Sequence, residues 1–281
     1  MQRVGLIAGN GRFPLIFART ARQAGVEVIA VAHEGETVPE LANAVAAITW
    51  VKVGELGRII RTFQQSGVER AVMAGGIRKA ALLEHFAPDE RGQQFLARLR
   101  TFGDDVLLRG IATELESEGI HVVESTLFLS AILTPTGPLT SRVPTADQWT
   151  DIRYGIAVAK AIGRWDIGQS VVIRSGLVLA VEAIEGTDAT IERGGRAGAI
   201  VVKVSKPHQD LRFDVPAVGP HTVEVCAAAG VAVLALEAGK TLLLDKHDLL
   251  QAAQHTGLTI VGVDTTAVVD ADIVAAPTIP S

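Results

Sequence analysis

Short apolar runs that end on glycine, with helical patterns between them, constrain this chain more than any other feature. Val4–Ala8 is such a run, closed by Gly9-Asn10-Gly11, and Pro14 then suits the first turn of a helix reaching about Gln23. The same reading predicts strands over Glu27–Ala32, Ala47–Val51 and Arg70–Ala74, with a helix over Leu56–Gln65 between the last two. Apolar strands of this length, alternating with helices, form an open parallel sheet covered on both faces.

The turns after the first and fourth strands bear on function. An open parallel sheet binds ligands outside the carboxyl ends of its strands, and a glycine turn there lets backbone N–H groups approach a phosphate. Gly9, Asn10 and Gly11 form one such turn; Gly75, Gly76, Ile77 and Arg78, followed by Lys79, form the other. Both also read as ordinary tight turns followed by a solvated Arg-Lys pair. Gly9-x-Gly11-x-x is followed by Pro14, so the third glycine of the dinucleotide fingerprint G-x-G-x-x-G is missing. Glu34 stands where a ribose-binding acid would, although an exposed loop glutamate has the same sequence signature.

Farther along, Phe95, Leu96, Leu99 and Phe102 recur at helical spacing among Arg91, Arg98 and Arg100. The pattern over 80–102 suits a core-facing helix, or a basic amphipathic face for acyl chains and anionic headgroups. Gly103-Asp104-Asp105 opens a helix to about Glu118, with an aspartate suited to capping it. Three prolines within 133–144 suggest an interdomain linker. The expected organisation is a first domain over 1–132, that linker, a second α/β domain over 145–264, and a mobile tail over 265–281.

The second half opens with a helix over Thr145–Trp165, capped by Thr145 or Asp147. A hairpin follows around Ser175-Gly176. Strands are expected at Ala199–Val204, Val231–Leu236, Thr241–Leu244 and Leu258–Val263, with helices after Gly219 and over Lys246–His255. Charge concentrates in two stretches: VEAIEGTDATIERGG (181–195) and KPHQDLRFDVPAVG (206–219). Gly186 allows a turn, Thr187 can cap the helix after it, and Asp188 falls in its first turn. In QDLRFDV the alternation predicts an extended strand with Asp210, Arg212 and Asp214 on one face and Leu211, Phe213 and Val215 on the other. Such a face is either a solvated edge or two carboxylates flanking a guanidinium. The latter suits Mg²⁺ and a phosphate ester. Lys203, Lys206 and Arg212 supply cations for non-bridging oxygens.

With 281 residues the chain is long enough for two cores. Its net charge of −5 argues against a broad nucleic-acid surface. A single cysteine, Cys226, excludes an internal disulfide, and its helical, alanine-rich surroundings make it a packing residue. The seven histidines show no zinc spacing, and no Walker A lysine motif or G-x-S-x-G elbow is present. There is no signal-peptide pattern and no apolar run of bilayer length. A cytoplasmic protein is expected, with any membrane contact peripheral.

EAIEGTD-x-x-I-x-R, then KP-x-QDLRFDVPAVG-x-x-T, resembles the C-terminal domain of the bacterial UDP-2,3-diacylglucosamine pyrophosphatases of the LpxI type. GLIAGNGRFP and MAGGIRK resemble that family's N-terminal domain, and the likeness spans about Arg3 to Val263. It implies a Rossmann-like N-terminal parallel sheet, a C-terminal α/β domain and a ligand cleft between them. The implied activity is Mg²⁺-dependent hydrolysis of UDP-2,3-diacylglucosamine to UMP and 2,3-diacylglucosamine 1-phosphate, with water attacking the phosphorus nearer the sugar. By motif position Asp214 is the essential acid and metal ligand, with Asp210 and Lys203 beside it. Gly9, Asn10, Gly11, Gly75, Gly76, Ile77, Arg78, Asp104, Glu182, Thr187, Asp188, Lys206 and Arg212 are the expected substrate contacts. A homodimer at the cytoplasmic face of the inner membrane is also implied. The competing classes are an NAD(P)-dependent oxidoreductase with a degraded fingerprint and a non-catalytic nucleotide-sugar binder.

Overall fold

The structure, a computed structural model, describes residues 2–78, 86–99, 104–213 and 215–266. The chain divides into two units. The first takes residues up to 131 together with 210–214; the second takes 132–209 and 215 onward.

In the first unit the apolar runs become β1 (Arg3–Ala8), β2 (Glu27–His33), β3 (Ala47–Val51), β4 (Arg70–Ala74) and the short β5 (His121–Val122). They form one parallel sheet of order β3-β2-β1-β4-β5. The order reverses between β1 and β4, which puts the topological switch point at the two glycine turns. Helix α1 (Phe13–Gln23) packs on β1, β2 and β4 through Leu15, Phe17, Ala18 and Ala21, and Gly25 at φ +76° follows its end. Helix α2 (Leu56–Gln65) places Leu56, Ile59, Ile60 and Phe63 on one stripe against Ile29, Val31 and Val51. Phe63 is fully buried, so truncating it to alanine costs about 3–5 kcal/mol.

Helices α3 (Glu90–Arg98) and α4 (Asp104–Glu116) complete that core with Phe95, Ala112 and Leu115. Asp89 accepts from Gly92 N at the start of α3 and from Gly57 N and Arg58 N at the start of α2. One carboxylate therefore caps two helices. Of the basic pattern over 80–102, the described part is core-facing. Phe95 is buried, Leu96 and Leu99 pack beside it, and Arg91 and Arg98 both bond Glu114 at 2.6 Å. Residues 79–85 and 100–103 lie outside the described residues.

The second unit has a mixed sheet. Its strands are β6 (Gly137–Pro138), β7 (Ser170–Arg174), β8 (Leu177–Val181), β9 (Ala199–Lys203), β11 (Val231–Glu237) and β13 (Thr259–Val263). A separate pair joins β10 (Ala217–Val218) to β12 (Leu242–Leu243). The sheet order is β6-β13-β11-β9-β7-β8, with β9, β11 and β13 parallel and the outer strands antiparallel.

Helix α5 (Ala146–Arg164) starts at a capping box between Thr145 and Gln148 and packs on β7 and β9 through Ile152, Ile156 and Ala159. Helices α6 (Thr187–Gly194), α7 (Pro220–Ala228) and α8 (Lys246–Thr256) bury Ile191, Val223, Cys226 and Leu249 in the core that holds Val201 and Leu234. The β7–β8 hairpin turns at Ser175 (φ +51°) and Gly176 (φ +75°), and both N–H groups donate to Asp151 at 2.7 Å.

The stretch 133–144, expected as a linker, is part of this second sheet. Gly137–Pro138 pairs with β13, Leu139 N donates to Ile260 O, and Thr134 bonds Thr241 O through both its N–H and its hydroxyl. Pro138 fits because β6, the strand that contains it, lies at the sheet edge. The tail expected over 265–281 falls outside the described residues after Thr266.

Candidate functional site

In the first unit the two glycine turns lie back to back. Gly9 N donates to Ala74 O at 2.8 Å and Asn10 N to Gly76 O at 2.7 Å. A Cβ on Gly9 would lie 2.2 Å from Gly76 O, and one on Gly75, at φ +79°, would lie 2.3 Å from Asn10 O. Glycine is required at both places because the two backbones occupy the space a side chain needs. Arg12, at the N-cap of α1, makes no side-chain cap bond, and Pro14 falls in the first helical turn.

Behind these turns is a buried polar cluster that the sequence did not single out. Glu36, beyond the end of β2, accepts from Arg78 N (2.8 Å), Arg78 Nε (2.8 Å) and Asn10 Nδ2 (3.1 Å). Burial alone would raise its pKa, but these bonds outweigh it and hold the carboxyl below its ordinary value. Glu36 thereby ties the loops after β1, β2 and β4 together. Thr37 Oγ1 donates to Ala8 O at 2.7 Å, and His33 Nδ1, 2.9 Å from the same carbonyl, must be the protonated nitrogen. Burial pushes the His33 pKa down, so the ring is neutral near pH 7 with Nε2 unprotonated. Glu34 is exposed, and Glu36 is committed to Arg78 and Asn10.

Residues 209–213 and 215 of the stretch QDLRFDV do not form a strand. Over the described part, Gln209–Phe213, Asp210 folds back on its own backbone: Arg212 N donates to Asp210 Oδ1 (3.1 Å) and Phe213 N to Asp210 O (3.0 Å). A local aspartate turn has displaced the extended backbone that the alternation implied. Ser125 N and Oγ both hold Leu211 O, Phe213 packs on the first unit's core, and Arg212 lies 4.8 Å from the Phe213 ring centre.

Asp210 is therefore not an open metal ligand. Arg212 grips it through Nε (2.9 Å) and Nη2 (2.8 Å), and Arg109 Nη1 adds a third contact at 2.9 Å. The Arg212 bonds, helped by Arg109, hold its pKa below the usual carboxylate range. Arg212 also reaches Glu116 at 3.3 Å. Asp214 lies outside the described residues, and so does the side chain of Asp104, which begins α4.

In the second unit the structure brings together Glu182, Thr187 and Lys203 and adds Ser170. Lys203, the last residue of β9, is buried and donates to Thr187 Oγ1 at 2.8 Å. Thr187 donates in turn to Glu182 Oε1 at 2.8 Å, and Ser170 Oγ lies 3.4 Å from Thr187 Oγ1. Glu182 Oε2 accepts from Gln169 N at 3.2 Å. Thr187 is thus no helix cap: Gly186, at φ +84°, takes the N-cap position, and the threonine hydroxyl links a buried lysine to a buried glutamate. Because β9 is parallel to β11, this cluster lies at the carboxyl ends of the parallel strands.

Lys206 Nζ is paired with Asp166 Oδ1 at 2.5 Å. Asp188, in the first turn of α6, is 3.6 Å from His221 Nε2. Cys226 is buried, and burial pushes its thiol up to about 12. Among the described residues no three His, Cys, Asp or Glu groups gather as a metal centre, and no helix is long and apolar enough to cross a membrane.

These observations define a two-unit α/β protein, with a glycine-lined switch point in one unit and a buried Lys-Thr-Glu cluster at the strand ends of the other. The chain belongs to the LpxI family: residues 3–132 match the LpxI N-terminal domain and residues 135–261 the LpxI C-terminal domain. A UDP-2,3-diacylglucosamine pyrophosphatase LpxI from Caulobacter vibrioides is 35% identical, the alignment covering 94% of this chain and 98% of that protein. Among solved structures, the biotin carboxylase domain of the Hydrogenobacter thermophilus 2-oxoglutarate carboxylase matches at 14% identity and a TM-score of 0.28. That match covers 62% of this chain and 35% of the other, too partial a likeness to bear on fold or chemistry.

Proposed function

We propose that this chain hydrolyses the pyrophosphate bond of UDP-2,3-diacylglucosamine to UMP and 2,3-diacylglucosamine 1-phosphate, a step of lipid A biosynthesis. The observation that carries this reading is the 35% identity to the Caulobacter pyrophosphatase over nearly the whole of both chains. The chemistry is addition of water at one phosphorus and departure of the other phosphate, so the protein must neutralise charge, orient water and accept a proton.

Lys203 is suited to the first task. It is buried, its ammonium is oriented by Thr187, and Glu182 holds Thr187. A cation fixed in a low-dielectric setting before substrate arrives stabilises developing charge without reorganisation. Lys206 and Arg212 are proposed as further phosphate contacts. Asp214 is proposed as the acid that orients water and takes its proton. Asp210, expected beside Asp214 among the catalytic residues, is proposed instead as a positioning group for Arg212 and Arg109. The turns at Gly9–Gly11 and Gly75–Arg78 are proposed contacts for the nucleotide, supported by their place at the switch point of the first sheet.

Mg²⁺ is proposed as cofactor on the resemblance. The described carboxylates do not fit a protein-built centre for it, since Asp210 is bonded to two guanidiniums. Homodimerisation and peripheral contact with a membrane are proposed likewise. Trp165, Ile167, Leu177 and Ile184 of the second unit stand exposed and are available for either. The test of the reading is chromatographic detection of UMP from UDP-2,3-diacylglucosamine, with and without chelator. UMP release abolished by chelator and restored by Mg²⁺ supports it; intact substrate under all conditions defeats it.

A further inference from the structure

On the face of the second sheet opposite Lys203, the chain buries an ion pair. Lys160 of α5 and Glu237, the last residue of β11, are both buried, as is Ser205. Lys160 Nζ donates to Glu237 Oε2 (2.6 Å), to Glu237 Oε1 (2.8 Å) and to the carbonyl of Ser205 (2.8 Å). Glu237 Oε2 accepts from Ser205 N at 2.7 Å. Its Oε1 accepts from Thr265 Oγ1 at 2.7 Å and from Lys240 at 3.0 Å. Burial pushes Lys160 down. For Glu237, burial opposes ionisation, and the bonds from Lys160 and Thr265 reverse that and hold it low.

A buried ion pair is poor value as stability alone, because a well-packed apolar pair serves as well or better. This pair does something an apolar pair cannot. It holds both peptide groups flanking Ser205, one through each partner. Ser205 lies two residues after Lys203 and one before Lys206. The same short run is held again at Gln209, whose Oε1 accepts from Lys206 N (2.8 Å) and Ser205 Oγ (3.1 Å). The backbone that leaves β9 with the two candidate phosphate-binding lysines is thus fixed from the opposite face of the sheet.

We propose that Lys160 and Glu237 are positioning residues, a clamp on the Ser205 backbone that sets Lys203 and Lys206 for the phosphoryl oxygens of the substrate. This rests on the phosphate-binding role given to those lysines above. The clamp touches no substrate, so its loss changes geometry and not the identity of the reacting groups. Misplacing a binding group by about 1 Å can cost on the order of 100-fold in rate.

The test is Lys160→Met/Glu237→Leu, which removes both charges of the pair together and both of its bonds to the Ser205 backbone. KM and kcat are measured for UMP release, and amide hydrogen exchange at Ser205 and Lys206 is measured in wild type and variant. In the folded variant the clamp predicts a roughly 10- to 100-fold fall in kcat/KM with a raised KM. Partial unfolding would lower only the active fraction, reducing apparent kcat with KM unchanged. A folded variant whose KM and kcat stay within about twofold of wild type overturns the proposal. If the variant does not fold, wild-type exchange decides: a Ser205 amide protected like the centre of β9 supports the clamp, and one exchanging like an exposed loop overturns it. Absence of UMP release by wild type would instead defeat the assigned function, a result separate from either of these.

Discussion

The back-to-back glycine turns make a graded prediction across four neighbouring positions. Among the described residues, alanine at Gly76 meets only Asn10 Oδ1, at 3.7 Å, and needs no positive φ, so it should change stability by no more than about 0.5 kcal/mol. Alanine at Gly11 meets none of the described residues but has φ +78°, which costs roughly 1–2 kcal/mol. Alanine at Gly9 has no such φ, but its Cβ lies 2.2 Å from Gly76 O, so displacement of one turn costs about 1–3 kcal/mol. Alanine at Gly75 combines φ +79° with a Cβ 2.3 Å from Asn10 O, and the two penalties add to roughly 2–5 kcal/mol.

Calorimetry of the four variants should therefore rank Gly75→Ala as the least stable and Gly76→Ala as near wild type. At about 2–4 °C per kcal/mol, Gly75→Ala should shift the transition of the first unit down by roughly 4–20 °C. Equal Tm values for Gly75→Ala and Gly76→Ala would refute the reasoning, because nothing but this packing and backbone geometry separates the two.

Other predictions follow from the same contacts. Glu36 has a folded pKa below its unfolded value, so its contribution is present above the unfolded value and is lost as pH falls through the folded one. Glu36→Gln should flatten the acid limb of the first unit's stability in urea titrations between neutral pH and pH 3; an unchanged slope contradicts the assignment. Cys226, with its thiol pushed up to about 12, should resist iodoacetamide at pH 8 until the protein is denatured, as read by mass spectrometry. Asp214→Ala should abolish turnover while leaving UDP-sugar affinity largely intact, and a normal kcat removes Asp214 from the mechanism.

Much of the fold was legible because its signals are local. Val4–Ala8 and Arg70–Ala74 are strands buried on both faces, so their apolar runs needed no partner to be read. Ser175-Gly176 and the Thr145 cap are short-range motifs that acted as their residue types dictate. The site was less legible because its contacts are long-range. Lys160 and Glu237 are 77 residues apart and look like ordinary helix and strand-end charges until the sheet brings them together. Glu36 was passed over for the exposed Glu34 because sequence spacing does not reveal which loop glutamate turns inward. Alternation misled at Asp210, where an aspartate bonding its own backbone and Phe213 packing on the first unit overrode the extended pattern. The prolines of 133–144 read as a linker because proline at a sheet edge and proline in a loop have the same sequence signature.

The most direct measurement compares UMP release from UDP-2,3-diacylglucosamine by wild type and Lys203→Met, with Tm recorded for both. Rapid release by wild type is predicted. In the variant, kcat/KM should fall by about 100-fold or more at an essentially retained Tm, the scale for losing a preorganised charge contact. Wild-type turnover in a folded Lys203→Met protein would contradict the claim that this buried lysine serves the diphosphate.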